Sequence, residues 1–191
     1  AVQTDMSKET AEKAVDLILA SPSPFVTIEF QGGEPLVNYP VVQHLIEYAK
    51  ERNRSVGKEL EFTMVSNLAL MDEDKLSYLL DNRVQICTSI DGPEHLHDKQ
   101  RKLVASSAFK AAVYWIKRIN KAYEERGLDT SLYHVEALLT TPREALPRGR
   151  EIVDAHAELG CKAIFLRPID PFGFMERTGP RLEYLRAEYL K

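Results

Sequence analysis

The chain has 191 residues, of which 44% are hydrophobic and 28% charged, with a formal net charge of −4 at pH 7. This acidic balance argues against a nucleic-acid partner or an anionic membrane surface, and no apolar run is long enough to cross a bilayer. The two cysteines, Cys87 and Cys161, lie far apart and form neither a disulfide framework nor a complete metal site. We therefore expect a protein of a reducing, cytoplasmic compartment that binds neither nucleic acid nor membrane.

Helical and strand-like patterns alternate along almost the whole chain. Apolar residues that recur at helical spacing predict helices that start after Ser7, cover 40–53 behind Asn38 as a cap, start at Asp72, and cover 107–125 and 150–159. Alternating or continuous apolar runs predict strands at 25–31, 60–67, 84–91, 132–140 and 163–167. This alternation indicates an α/β fold with parallel strands joined by right-handed crossovers. We expect residues 1–175 to form one domain and 176–191 to form a charged helical tail.

One face of several predicted strands is polar. Its members include Glu29 and Gln31 on the first strand, Glu136 on the fourth and Arg167 on the fifth. A doubly wound sheet buries both faces of its strands and needs them apolar, whereas a barrel with helices outside can enclose a polar, ligand-holding interior. The pattern therefore favours a partial barrel, with a doubly wound sheet as the alternative. In a barrel, functional groups collect at the carboxyl ends of the strands.

The segment Phe30–Pro35 follows the first strand and precedes a helix. Gly32 and Gly33 allow the backbone to approach a ligand closely and to adopt positive φ. The carboxylate of Glu34 suits an ammonium group, whereas a phosphate site would need amides with a lysine or arginine. The segment therefore predicts a site for a cationic amino group, and the alternative is a glycine-rich β–α turn without a ligand.

Polar residues also follow the next two predicted strands. Asn67 ends the second strand, and Ser89 with Asp91 ends the third, ahead of Arg101. Ordinary turn chemistry for Asn67 and Asp91 and a surface ion pair for Arg101 are the alternatives to a binding role. Their joint placement at successive strand ends nevertheless indicates one functional region.

The histidines carry a weaker signal. His95 and His97 have no third metal ligand nearby, and we expect them in a loop after the turn, as structural or solvent-exposed residues. His156 lies near a helix seam and is predicted to pack in the interior.

With these residues assembled, the chain resembles the radical SAM superfamily, specifically its peptide-modifying maturases of the SPASM type. Phe30–Leu36 is similar to the family motif that holds the ammonium of S-adenosylmethionine (AdoMet). Val65–Asn67 resembles the next strand-end motif, and Leu68 stands where the family commonly has glycine. Ser89–Arg101 is similar to the segment in which a serine binds the cofactor ribose and polar side chains bind its carboxylate. Phe165–Pro168 resembles the strand that borders the adenine.

The likeness is greatest to the maturases of the His-Xaa-Ser system. It implies a partial (βα)6 barrel whose first strand is missing. It also implies reductive cleavage of AdoMet to a 5′-deoxyadenosyl radical, which abstracts hydrogen from a ribosomally made peptide. By position, the resemblance assigns cofactor binding to Gly32, Gly33, Glu34, Asn67, Ser89, Arg101 and Leu166. The polar face adds three residues that we expect to face the substrate, Glu29, Glu136 and Arg167.

The chain departs from the family pattern in one respect. Members bind a [4Fe–4S] cluster through three cysteines of a CxxxCxxC loop after the first strand, and this sequence has no such loop. Cys87 and Cys161 cannot replace it, because three thiolates must converge on one cluster. We therefore interpret the chain as a fragment that is inactive alone, with the cluster bound only in its parent and no metal ligand among its own residues. Open barrel edges predict self-association.

Two other functions stay open at this stage. The first is a cluster-free barrel scaffold that binds a peptide or protein partner without redox chemistry. The second is an ordinary doubly wound domain that binds a small molecule.

Overall fold

The computed structural model describes residues 5–103, 106–169 and 186–189. The chain packs as two compact units, Ala1–Ile86 and Cys87–Lys191. No helix among these described residues is long and apolar enough to cross a membrane.

The first unit alternates helices with parallel strands. Its elements are α1 (Lys8–Leu19), β1 (Phe25–Phe30), α2 (Tyr39–Val56), β2 (Glu59–Ser66) and α3 (Glu73–Asp81). β1 and β2 pair in parallel, with Phe25 opposite Glu59 and Phe30 opposite Met64. The strands and helices bury an apolar core whose members include Val15, Ile28, Ile46, Met64 and Leu79.

Local hydrogen bonds explain where two of these helices begin. The side chain of Ser7 accepts from the Thr10 amide at 3.2 Å, and that of Asp72 accepts from the Lys75 amide at 2.8 Å. Each bond satisfies an amide that the first helical turn leaves unpaired. The predicted cap at Asn38 is wrong, because its side chain makes no capping bond and Nδ2 donates to the Met6 carbonyl instead. A 3₁₀ helix, Pro35–Asn38, leads directly into α2.

The second unit continues the alternation. Its elements are β3 (Gln85–Ser89, which begins at the border of the first unit), α4 (Glu94–Gln100), α5 (Ala108–Glu125), β4 (Glu136–Thr141), α6 (Gly149–Glu158), β5 (Ile164–Pro168) and α7 (Arg186–Tyr189). β4 pairs in parallel with β3 on one side and β5 on the other. Ser89 lies opposite Leu138, which in turn lies opposite Phe165.

Two predicted segments differ from the structure. The residues expected to form a loop around His95 and His97 form helix α4. β4 begins at Glu136 rather than at residue 132, because the Asp129 carbonyl accepts from the amides of Leu132 and Tyr133 and folds that segment into a turn. An amide that donates to a carbonyl of its own turn is not available to a neighbouring strand.

Parallel strands joined by helices in both units confirm the α/β class. The predicted domain boundary at residue 175 lies outside the described residues.

Candidate functional site

The candidate site of the first unit is the glycine segment, Gln31–Pro35, which follows β1. Gly32 has a φ of +150°, a conformation that side-chain-bearing residues rarely adopt. Gly33 has no positive φ, and a Cβ built there would meet no heavy atom within 4 Å. Gly32 is therefore required by the backbone, whereas the space beside Gly33 is open.

Glu34 ties this segment to the end of the neighbouring strand. Its Oε1 accepts from the Ser66 hydroxyl at 2.7 Å and from the Leu36 amide at 3.1 Å, and its Oε2 accepts from the Asn67 amide at 2.8 Å. Hydrogen bonds to an ionised carboxylate are stronger than neutral ones. Glu34 is therefore a clamp that holds the glycine segment against the end of β2. One of its roughly four acceptor sites is left for a ligand.

The end of β2 is shaped by the same cluster. The Ser66 hydroxyl oxygen accepts from the Leu68 amide at 3.0 Å, and Asn67 Oδ1 accepts from the Ala69 amide at 2.9 Å. Leu68 is fully buried and has a φ of +60°, a left-handed conformation that is costly for a branched side chain. This backbone conformation is the physical reason why glycine suits the position that Leu68 occupies.

A cavity of about 520 Å³ borders the glycine segment. Its wall includes Glu29, Gly32, Gly33 and Glu34 together with apolar side chains such as Phe30 and Val42. This volume lies in the range of small-molecule sites, and an apolar wall with a few polar groups is typical of them.

The second unit holds a buried polar cluster around Asp91. The carboxylate of Asp91 has no solvent exposure and accepts from Arg101 at both oxygens, from Nε at 2.6 Å and from Nη2 at 3.2 Å. Its Oδ1 also accepts from the Thr140 amide at the end of β4, at 3.1 Å. The alternative of an exposed surface pair for Arg101 is therefore wrong, because the acidic partner is wholly buried.

Helix α4 closes this cluster. The Asp91 amide donates to Nδ1 of His97, which is 2% exposed, and the Arg101 amide donates to the His97 carbonyl. Burial lowers the pKa of His97, the adjacent Arg101 cation lowers it further, and Asp91 opposes the shift. The ring is therefore neutral, with its proton on Nε2, as its role of acceptor at Nδ1 requires. His97 was expected in a loop and is instead a buried helical residue, whereas His95 is exposed.

The remaining predicted residues lie along the strands of the two units. Ser89 is 9% exposed at the end of β3, and Leu166 is 60% exposed on β5. In the first unit Glu29 lies opposite Thr63, whose hydroxyl is buried with no hydrogen bond among the described residues. In the second unit Glu136 lies opposite Cys87, and Arg167 lies opposite Thr140.

The structure thus brings Gly32–Glu34 beside Asn67 in the first unit, and in the second unit it holds Arg101 against Asp91, two residues after Ser89. The sequence did not predict Ser66 as a partner of Glu34, or His97 and Thr140 as partners of Asp91, and it left Asp91 between a turn role and a binding role. The spacing of an aspartate at a strand end and an arginine ten residues later is the signal that could have found the ion pair.

The residues present do not fit an iron–sulfur cluster. A [4Fe–4S] cluster takes three or four thiolates, and the chain has two cysteines, both free. Within residues 5–103, 106–169 and 186–189, no group of three or more histidine, cysteine or acidic side chains could hold a metal ion.

Comparison with known proteins places the chain in a family. A family model described as "4Fe-4S single cluster domain" matches residues 2–112. The radical SAM cyclopropyl synthase TigE of Paramaledivibacter caminithermalis is 28% identical over 86 residues, which are 45% of this chain and 18% of TigE. The cysteine-type anaerobic sulfatase-maturating enzyme of Clostridium perfringens is 29% identical over 98 residues, which are 51% of this chain and 26% of that enzyme.

Solved structures share the fold. The structure of anSMEcpe with bound AdoMet and Kp18Cys peptide matches with a TM-score of 0.72 at 20% identity, over 87% of this chain and 44% of that one. Streptococcus suis SuiB bound to precursor peptide SuiA matches with a TM-score of 0.65 at 14% identity, over 95% of this chain and 36% of that one. The chain therefore spans less than half the length of each relative, and the predicted fold class is confirmed. The chain belongs to the 4Fe-4S single cluster domain family.

Proposed function

We propose that this chain is the AdoMet-binding part of a radical SAM peptide maturase. The observation that carries the proposal is the glycine segment, whose open backbone at Gly33 borders the cavity while Glu34 holds the segment against the end of β2. A solved structure with the same fold contains bound AdoMet and a peptide, which supports the same ligand classes here.

Each cofactor-binding role follows from the chemistry of the residue. Backbone carbonyls of Gly32 and Gly33, with the remaining acceptor site of Glu34, suit the ammonium of AdoMet. In the second unit the Ser89 hydroxyl suits a ribose hydroxyl and the Arg101 guanidinium suits a carboxylate. Asn67 Nδ2 makes no hydrogen bond among the described residues and is a further donor, and the exposed Leu166 offers apolar contact to the adenine.

In the parent enzyme, bound AdoMet would supply the 5′-deoxyadenosyl radical that abstracts hydrogen from the peptide. The residues of this chain orient the cofactor and exclude water from it. Cluster ligands would come from outside these 191 residues, because two cysteines are too few. We accordingly expect no cluster on the 191-residue chain after anaerobic incubation with iron and sulfide. Cluster absorption near one equivalent that survives desalting would contradict this.

Gly33→Val tests the glycine segment directly. Nothing in the structure lies within 4 Å of a Cβ at Gly33, so the variant should fold like the wild type while its side chain blocks close approach of AdoMet. We expect the AdoMet affinity, measured by calorimetry on the full-length protein, to fall by about tenfold or more, as for loss of one charge-assisted hydrogen bond. Gly149→Val is the matched control, because Gly149 also has open space and no positive φ. Equal affinities for the two variants would refute the placement of the cofactor.

The substrate-facing residues need a separate measurement. We expect Glu29→Gln and Arg167→Ala in the parent to lower peptide turnover more than cleavage of AdoMet to 5′-deoxyadenosine without peptide. A parallel loss of both activities would show that these residues do not act on the peptide. Peptide binding without any AdoMet binding would instead support a cluster-free scaffold.

A further inference from the structure

Asp91 belongs to a closed ring of hydrogen bonds that fixes one side chain. The Asp91 amide donates to Nδ1 of His97 at 3.2 Å, and the Arg101 amide donates to the His97 carbonyl at 2.8 Å. The Arg101 guanidinium then returns to the Asp91 carboxylate through Nε and Nη2. The Thr140 amide adds a fifth bond, to Asp91 Oδ1 at 3.1 Å. The aspartate is therefore held from its own backbone, from α4 and from the end of β4.

The two members of this ion pair differ in their exposure to solvent. Burying one member of an ion pair costs desolvation that the attraction roughly offsets, so such a pair adds little net stability. Asp91 has no exposed side-chain surface, whereas the Arg101 side chain is 30% exposed. The buried carboxylate of Asp91 therefore fixes the partly exposed guanidinium of Arg101.

The geometry of the guanidinium determines which N–H groups of Arg101 face away from Asp91. Arginine has five N–H donors in one plane, and Asp91 occupies the side edge formed by Nε and one hydrogen of Nη2. The end edge, formed by Nη1 and the other hydrogen of Nη2, has no partner among the residues that the structure describes. Two parallel N–H groups of this kind match the two oxygens of a carboxylate.

We propose that Asp91 is a positioning residue, which orients the end edge of Arg101 toward the carboxylate of the ligand. This inference rests on the proposed function, in which that ligand is AdoMet. Asp91 does not touch the ligand in this role, and it acts only through Arg101. Without Asp91 the guanidinium keeps its charge but loses the fixed plane that makes two parallel hydrogen bonds possible.

The test compares AdoMet with decarboxylated AdoMet, which lacks only the carboxylate. Affinities are measured by calorimetry for the full-length wild-type protein and for Asp91→Asn, Arg101→Gln and Arg101→Lys. We expect Arg101→Gln to weaken AdoMet binding by about 10- to 100-fold, as for loss of a charge-assisted pair. Asp91→Asn should weaken AdoMet binding by about tenfold, because the guanidinium of Arg101 is retained but no longer held in place. Arg101→Lys should also weaken it by about tenfold, because the positive charge is retained without the two parallel N–H donors. Decarboxylated AdoMet should bind all four proteins within about twofold.

Asp98→Asn is the matched control. Asp98 lies in the same segment, but its Oδ1 accepts from the Phe109 amide at the start of α5 and it makes no bond to Arg101. We expect this variant to lose stability without discriminating between the two ligands. If Asp91→Asn weakens both ligands equally, as a general loss of structure would, the inference is overturned.

A spectroscopic measurement separates failure of the inference from failure of the proposed function. The Nε–H resonance of Arg101, identified by its absence in Arg101→Lys, should exchange slowly with water in the wild type because Asp91 holds it. Fast exchange in the wild type overturns the positioning role even if Asp91→Asn fails to fold. A slow Nε–H with no binding of AdoMet to the wild type would instead overturn the proposed function.

Discussion

Replacing Glu34 tests whether a single carboxylate sets the geometry of the glycine segment. Glu34→Gln keeps the shape of the side chain but replaces one acceptor oxygen with an NH₂ group. If the remaining oxygen keeps Ser66 and Leu36, the new NH₂ faces the Asn67 amide, and two donors confront each other where Oε2 now accepts at 2.8 Å. The two retained bonds also change from charge-assisted to neutral.

These contacts give the expected magnitude. A hydrogen bond to a charged group contributes about 1.5–3 kcal/mol and a neutral one about 0.5–1.5 kcal/mol, with half-exposed bonds at the lower end. Losing the Asn67 bond, at about 1.5 kcal/mol, and neutralising the other two, at about 1 kcal/mol each, should therefore lower the free energy of unfolding by about 3.5 kcal/mol. Glu34→Ala, which removes all three bonds, should cost about 4.5 kcal/mol. For a protein of this size, a loss of about 3.5 kcal/mol corresponds to a fall in Tm of roughly 7–14 °C.

Urea unfolding measures the free energy, and amide hydrogen exchange measures the bond itself. Asn67 is exposed, so we expect protection of its amide to depend on Glu34 and to be lost in Glu34→Gln. Glu51→Gln is the control, because that exposed glutamate of α2 forms a surface pair with Arg54 and its loss should change stability by less than about 0.5 kcal/mol. Unchanged exchange at Asn67, with a stability loss no larger than the control's, would refute the clamp.

Three further outcomes follow from the structure. Leu68→Ala should be about 1 kcal/mol less stable than Leu68→Gly in urea unfolding, although alanine is normally the more stabilising residue, because alanine keeps the strain of the left-handed backbone that glycine relieves. A more stable Leu68→Ala would contradict the backbone argument. The pKa of His97 is lowered in the folded state, so the unfolded state takes up the proton first as the pH falls. The free energy of unfolding should therefore fall as the pH drops below the ordinary pKa of 6.5, and it should fall less steeply in His97→Gln. Identical slopes for the two proteins between pH 7.5 and 5.5 would count against a lowered pKa of His97. Gly92→Ala should lower the free energy of unfolding by about 1–3 kcal/mol, because Gly92 has a φ of +121° and the new Cβ would lie 3.0 Å from Ile152 Cγ1. A neutral effect, comparable to that of Gly149→Ala, would refute this prediction.

Local patterns in the sequence were enough to predict most elements and the family. Ser7, Asp72 and Ser107 were recognisable at helix starts because the cap and the amide it binds are only three residues apart. The glycine segment was recognisable because a strand, two glycines and a helix follow each other directly. Helix α4 escaped prediction, since Leu96 is the one apolar residue among its seven and a single apolar residue defines no period.

The partners of the carboxylates could only be decided by the tertiary structure. Glu34 binds the Asn67 amide, 33 residues later, and Asp91 binds the Thr140 amide, 49 residues later. In both units the parallel pairing of strands brings the end of one strand beside the end of the next, which no local pattern encodes. The sequence alone therefore determined which residues stand at strand ends, whereas the pairing of strands decided that Glu34 is a clamp and that Asp91 anchors Arg101.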